Sequence, residues 1–82
     1  TAGENEIQER IIIALSPEGQ IYLNDQPIEK FQLEAAIKLV GELTPELPVL
    51  LVADEDVSLK FVTEVMDVCR SNKMNTIRLQ SR

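Results

Sequence analysis

The chain contains no histidine. That removes the commonest general base and the commonest metal ligand together, and with them most familiar hydrolase and zinc chemistry. One cysteine, Cys69, leaves no disulfide possible within the chain. Aromatic side chains are scarce: only Tyr22, Phe31 and Phe61 could stack on a nucleic-acid base. Positive charge is in the minority and unclustered, eight Lys and Arg against fourteen Asp and Glu for a net of −6. Nucleic acids and anionic membranes are bound through clustered basic residues, so neither is an expected partner. No apolar run is long enough to form a signal peptide or a transmembrane helix. The chain starts at Thr1 rather than Met and reads as a piece of a longer protein, so that last absence says nothing about the parent.

What is present is the composition of a small folded domain. Of 82 residues, 44% are apolar and 27% charged, ordinary globular values for a single domain. A chain of this size buries only about 60% of the surface its unfolded form exposes, so its core must be small or a partner must help. Residues 1–9, TAGENEIQE, are small and polar and read as a flexible lead-in to a domain spanning 10–82. RIIIALS has the β-branched richness of a strand. SPEGQ supplies a turn through Pro17 and Gly19, and IYLN a second strand, which predicts a β-hairpin over 10–24. NDQP is expected to break the sheet: Asn24 and Asp25 favour a turn, and Pro27 has no N–H for a ladder.

The period then changes. Leu33, Ala36, Ile37, Val40 and Leu43 recur at three- and four-residue steps, which predicts a helix over about 30–43. Gly41 weakens it by about 1 kcal/mol relative to Ala, and TPELP ends it. VLLVA (49–53), short and bounded by Pro48, reads as a strand buried on both faces. A second helix over about 58–71 carries Phe61, Val62, Val65, Met66 and Cys69 on one side. TIRLQ alternates, with Ile77 and Leu79 pointing one way and Thr76, Arg78 and Gln80 the other.

The predicted class is α+β, a two-layer β-β-α-β-α-β arrangement with one mixed sheet and two helices packed on one face. Two helices cannot cover both faces, so one should be open. If Ile11, Ile13 and Leu15 face the helices, then Ile12, Ala14 and Tyr22 lie on the open face beside Leu50 or Val52, an apolar strip suited to a partner. The last strand is a second candidate surface, because an unpaired edge can accept another strand even where Arg78 blunts it.

The run Asp54-Glu55-Asp56, directly after VLLVA, is the main candidate for chemistry. At the carboxyl end of a parallel strand it could hold Mg²⁺ through oxygen ligands. No Gly-rich phosphate loop and no further acidic cluster accompanies it, and Asp56 or Ser58 as a helix cap accounts for the same residues. Cys69, on an apolar helix face with no histidine to activate it, reads as core. Glu64 and Asp67 read as a solvated face, and Ser16 lacks a base. No catalytic residue, cofactor or metal is expected.

Two stretches together resemble a known family. VADEDVSLKFVTEVMDVCRSNKMNTIRLQ (52–80) is similar to the end of the periplasmic domain of the ExbD/TolR biopolymer-transport proteins, through Ala53, Asp54, Val57, Val65, Met66, Asp67 and Leu79. Upstream, GQIYLNDQPIEKFQLEAAI (19–37) resembles that family's Gly, short strand, Asn-containing turn, Pro-hydrophobic pair and first helix. The resemblance covers about residues 10–80; no single piece is specific, while the order and spacing are. It implies a non-enzymatic periplasmic domain of a single-pass inner-membrane subunit, anchored by a transmembrane helix outside this chain. It implies a homodimer, an ExbB/TolQ-like membrane partner, a TonB- or TolA-like protein energised by the proton-motive force, and for TolR-like members peptidoglycan. The proton-carrying acid of the family lies on the transmembrane helix, so Asp54 corresponds only to the loop aspartate of the periplasmic motif. Many relatives carry Ala-Gly after the second helix where this chain has Asn72 and Lys73, and an aliphatic residue at Cys69. Tyr22, Asp54, Ile77, Arg78 and Leu79 are the expected partner-binding residues. A stand-alone module binding a small ligand or a metal at 54–56 is the alternative.

Overall fold

The computed structural model describes residues 10–82; the expected lead-in, 1–9, lies outside the described residues. Three β-strands open the fold: β1 (Ile11–Leu15), β2 (Ile21–Leu23) and β3 (Gln26–Ile28). Helix α1 (Lys30–Leu43), strand β4 (Val49–Ala53), helix α2 (Leu59–Ser71) and strand β5 (Ile77–Ser81) follow. The strands form one sheet in the order β3-β2-β1-β4-β5, with β1, β4 and β5 mutually parallel and the first three antiparallel. The fold is the expected α+β class, one mixed sheet with both helices on one face, and it carries one strand more than expected.

That strand is β3. Asn24 (φ 48°) and Asp25 (φ 74°) form a two-residue hairpin turn in the left-handed region these residues tolerate. Asn24 is also tied to β1, accepting the Ile12 N–H on Oδ1 and donating its own N–H to the Ile12 carbonyl, each at 2.8 Å. NDQP thus reverses the chain instead of ending the sheet. Pro27 is tolerated because β3 is an edge strand. Its register opposite Tyr22, one pair beyond the turn-flanking Leu23–Gln26, is a non-hydrogen-bonded site that requires no donor. The β1–β2 turn is as expected: Gly19 takes φ +91° and donates to the Ser16 carbonyl at 3.0 Å.

The core lies between the sheet and the helices. Ile11, Ile13 and Leu15 of β1, Val49, Leu51 and Ala53 of β4, Leu33 and Ile37 of α1, and Val62, Val65 and Cys69 of α2 form one buried cluster. Each large side chain buried there contributes about 1.5–3 kcal/mol. Helix α1 starts with Gln32 Oε1 accepting the Glu29 N–H at 2.8 Å, one half of a capping box. Helix α2 starts with Ser58 Oγ accepting the Phe61 N–H at 3.1 Å. At its end Lys73 takes φ +72°, in the left-handed region that favours glycine. Met74 N–H reaches the Cys69 carbonyl and Lys73 N–H the Arg70 carbonyl, a Schellman closure that buries Met74 completely. Lys73, not Asn72, adopts the left-handed backbone.

The buried stripe of α1 is Leu33, Ile37 and Gly41, while Leu43, expected on that face, is 73% exposed. Gly41 takes the inward position because the backbone of Asn72 lies against it. A Cβ at Gly41 would collide with the Asn72 carbonyl oxygen. Lys30 Nζ and Glu64 Oε1, 3.5 Å apart, bridge the two helices at the other end. No helix among the described residues is long and apolar enough to cross a membrane.

Gly41→Ala is therefore expected to destabilise the fold by about 1–3 kcal/mol through overpacking, although Ala is the better helix former by about 1 kcal/mol. Urea denaturation tests this, and a raised midpoint would show that the two backbones do not meet this closely here.

Candidate partner interface

Residues paired across a sheet share a face. On the face away from the helices the register aligns Pro27, Tyr22, Ala14, Val52 and Gln80 in one row and Ile12, Leu50 and Arg78 in the next. The expected strip of Ile12, Ala14 and Tyr22 beside Leu50 and Val52 is therefore contiguous. It is less exposed than an open face suggests: Ile12, Ala14 and Leu50 are half-buried, Val52 is buried and Tyr22 is 37% exposed.

Strand β5 is a free edge, paired only with β4 among the described residues. Val49 N–H donates to the Thr76 carbonyl at 2.8 Å and Arg82 N–H to the Ala53 carbonyl at 2.9 Å, which phases the ladder. Arg78 and Gln80 then turn their backbone groups toward β4, and those of Ile77, Leu79 and Ser81 point outward. The side chains of Ile77 and Leu79 lie on the helix side, in register with Val49 and Leu51, whereas Arg78 lies on the open face. Helix α2 does not cover the edge: Leu79 is 55% exposed and Leu59, at the first turn of α2, 78%.

The five expected site residues thus fall in separate places. Asp54 and Leu79 share a hollow of about 220 Å³ with Val57, Leu59 and Val62, at the carboxyl ends of β4 and β5. Ile77 and Arg78 line a larger cleft, about 720 Å³, at the amino ends of the same strands. Tyr22 sits apart, on β2. Spacing in the sequence missed another surface: Phe31, Ala35, Leu39 and Leu43 repeat every four residues along α1 and all are exposed. The signal was present, but Leu43 had been counted toward the core.

The acid run is a strand-to-helix junction. Asp54 Oδ1 accepts the Asp56 N–H at 3.0 Å, and its carbonyl accepts the Val57 N–H at 3.0 Å. The side chain closes an Asx turn, and Ser58, not Asp56, caps α2. Among the described residues no three His, Cys, Asp or Glu side chains are grouped to hold a metal ion. Cys69 is 1% exposed, and burial pushes its thiol from an ordinary value of 9.0 up to about 11 against the opposing charge of Arg70.

The described residues thus form a mixed sheet with both helices on one face and an edge strand, β5, paired only with β4. A model of the family Biopolymer transport protein ExbD/TolR matches residues 1–82, and the chain belongs to that family. Two relatives named Biopolymer transport protein exbD1, from Xanthomonas campestris pv. campestris strains B100 and ATCC 33913, are each 28% identical to it over 64 residues. The alignment covers 78% of this chain and 46% of each relative, so the chain spans about half the length of the curated relatives it matches.

Asp54→Asn keeps the acceptor of the Asx turn and should leave stability nearly unchanged, while Asp54→Ala should cost about 1 kcal/mol. Equal losses in urea denaturation would show that the carboxylate charge matters, not the turn. Cys69 predicts a pH effect of definite sign. Its thiol is harder to ionise when folded, so the stability it confers is complete below pH 9.0 and lost as pH rises toward about 11. Cys69→Ala should remove that part of the alkaline decline, measured by denaturation midpoints across this range.

Proposed function

We propose that this chain is the periplasmic domain of an inner-membrane subunit that couples the proton-motive force to TonB- or TolA-dependent transport or envelope integrity. It acts by dimerisation and partner binding, not by catalysis. Its partners are a second copy, an ExbB/TolQ-like membrane subunit engaged by a transmembrane helix outside this chain, and a TonB- or TolA-like protein, with peptidoglycan as a further candidate. The observation that carries this reading is the β5 edge: outward-facing backbone groups at Ile77, Leu79 and Ser81, with Leu79 half in solvent at its centre. An added strand would find both ladder partners and an apolar contact there. Asp54 supports that site by shaping the adjacent strand end, and Arg78 and Tyr22 serve the opposite face. A cation-binding module at 54–56 has less support, because an oxygen of Asp54 is already engaged by the backbone.

Leu79→Asp is expected to abolish self- or partner association while Leu79→Ile preserves it. Because Leu79 is exposed, neither should shift the unfolding midpoint by more than about 1 kcal/mol in stability. Light scattering and crosslinking read the outcome. Association that survives Leu79→Asp, or no association of the parent chain at any concentration, would refute the β5 interface.

A further inference from the structure

The larger cleft, at the amino ends of β4 and β5, combines positive charge with a concave shape. Arg10, Pro48, Leu50, Asn75, Thr76 and Arg78 line it, with a volume of about 720 Å³. Two of the chain's eight basic residues meet here, and among the described residues no Asp or Glu lines it, in a chain of net charge −6. Leu50, half-buried, forms an apolar floor, and it lies directly between Ile12 and Arg78 in the register. Thr76 and Asn75, also in the lining, carry neutral side-chain donors.

We propose that this cleft binds an extended acidic peptide segment of a protein partner, one carboxylate on each guanidinium and an apolar side chain on Leu50. The spacing follows from sheet dimensions. Arg10 and Arg78 are two strands and one pleat apart, so their Cα atoms are on the order of 12 Å from each other. In an extended peptide, residues i and i+4 point to the same side about 13 Å apart, with i+2 between them. The matching pattern is therefore acid, any, apolar, any, acid. Guanidinium groups suit it because they hold carboxylates through paired hydrogen bonds. The inference rests on the partner-binding reading of Arg78 and adds the partner's chemistry. It concerns the cleft at the amino ends of the strands, not the outer edge at Leu79, so it can fail while the Leu79 edge stands, and the reverse.

The test uses two seven-residue peptides, N-acetylated and C-amidated, SEALAES and SQALAQS, titrated into the ¹⁵N-labelled chain in 50 mM salt. The expected result is saturable shifts at Leu50, Asn75, Thr76 and Arg78 with the Glu peptide and at least about threefold weaker binding with the Gln peptide. Arg10→Ala and Arg78→Ala should each weaken the Glu peptide about three- to tenfold, with Arg78→Lys intermediate. Unchanged amide spectra away from the cleft establish that the variants remain folded; if one does not, the remaining Arg variant and the Gln peptide decide. Equal binding of both peptides, indifference to the Arg variants, or shifts centred on Leu59 and Leu79 would each overturn the proposal.

Discussion

Every parallel contact in this domain passes through β4. It pairs with β1 on one side and β5 on the other, and its helix-side residues Val49, Leu51 and Ala53 stand in the middle of the core. Its open-face residues are apolar too, Leu50 half-buried and Val52 buried, so VLLVA has no alternation. Each of its two ends borders a hollow. The carboxyl end turns at Asp54 into α2, and the amino end emerges from Pro48 beside Arg10 and Arg78.

The helices are held over β4 by an approach that admits no side chain. Gly41 lies against the Asn72 carbonyl, and the Lys30–Glu64 pair closes the opposite end. An exposed ion pair of this kind contributes little; the backbone contact is the constraint. Ile77 of β5 packs against the core, while Leu79 further along the strand and Leu59 of α2 remain in solvent. The bare edge that the proposed function uses is set by strand order: β5 ends the sheet, and among the described residues nothing pairs with its outer side.

Much of the fold was legible along the chain because it rests on local rules. The periodicity of 30–43 and 58–71 and the β-branched runs at 11–15 and 49–53 marked elements the structure contains. The third strand was not legible, since Pro27 is compatible with a sheet only at an edge and at a site needing no donor. Both conditions depend on its neighbours, not on its own segment. Leu43 was misplaced for a related reason: a glycine does not register in a hydrophobic pattern, yet Gly41 holds the inward position. Of the site, the Asp54 junction and the β5 edge were foreseeable from sequence, and the separation of Arg78 from Leu79 onto opposite faces follows from simple alternation.

By itself the sequence determined the two helices, the four principal strands and the family. A helical period acts within a turn, so it needs no knowledge of distant contacts. The tertiary structure alone decided which edges are free, which apolar residues escape burial and which charges converge. Arg10 and Arg78 are far apart in the chain and meet at one cleft only because β1 and β5 both flank β4 in parallel register. That convergence is a property of strand order, which no local pattern encodes.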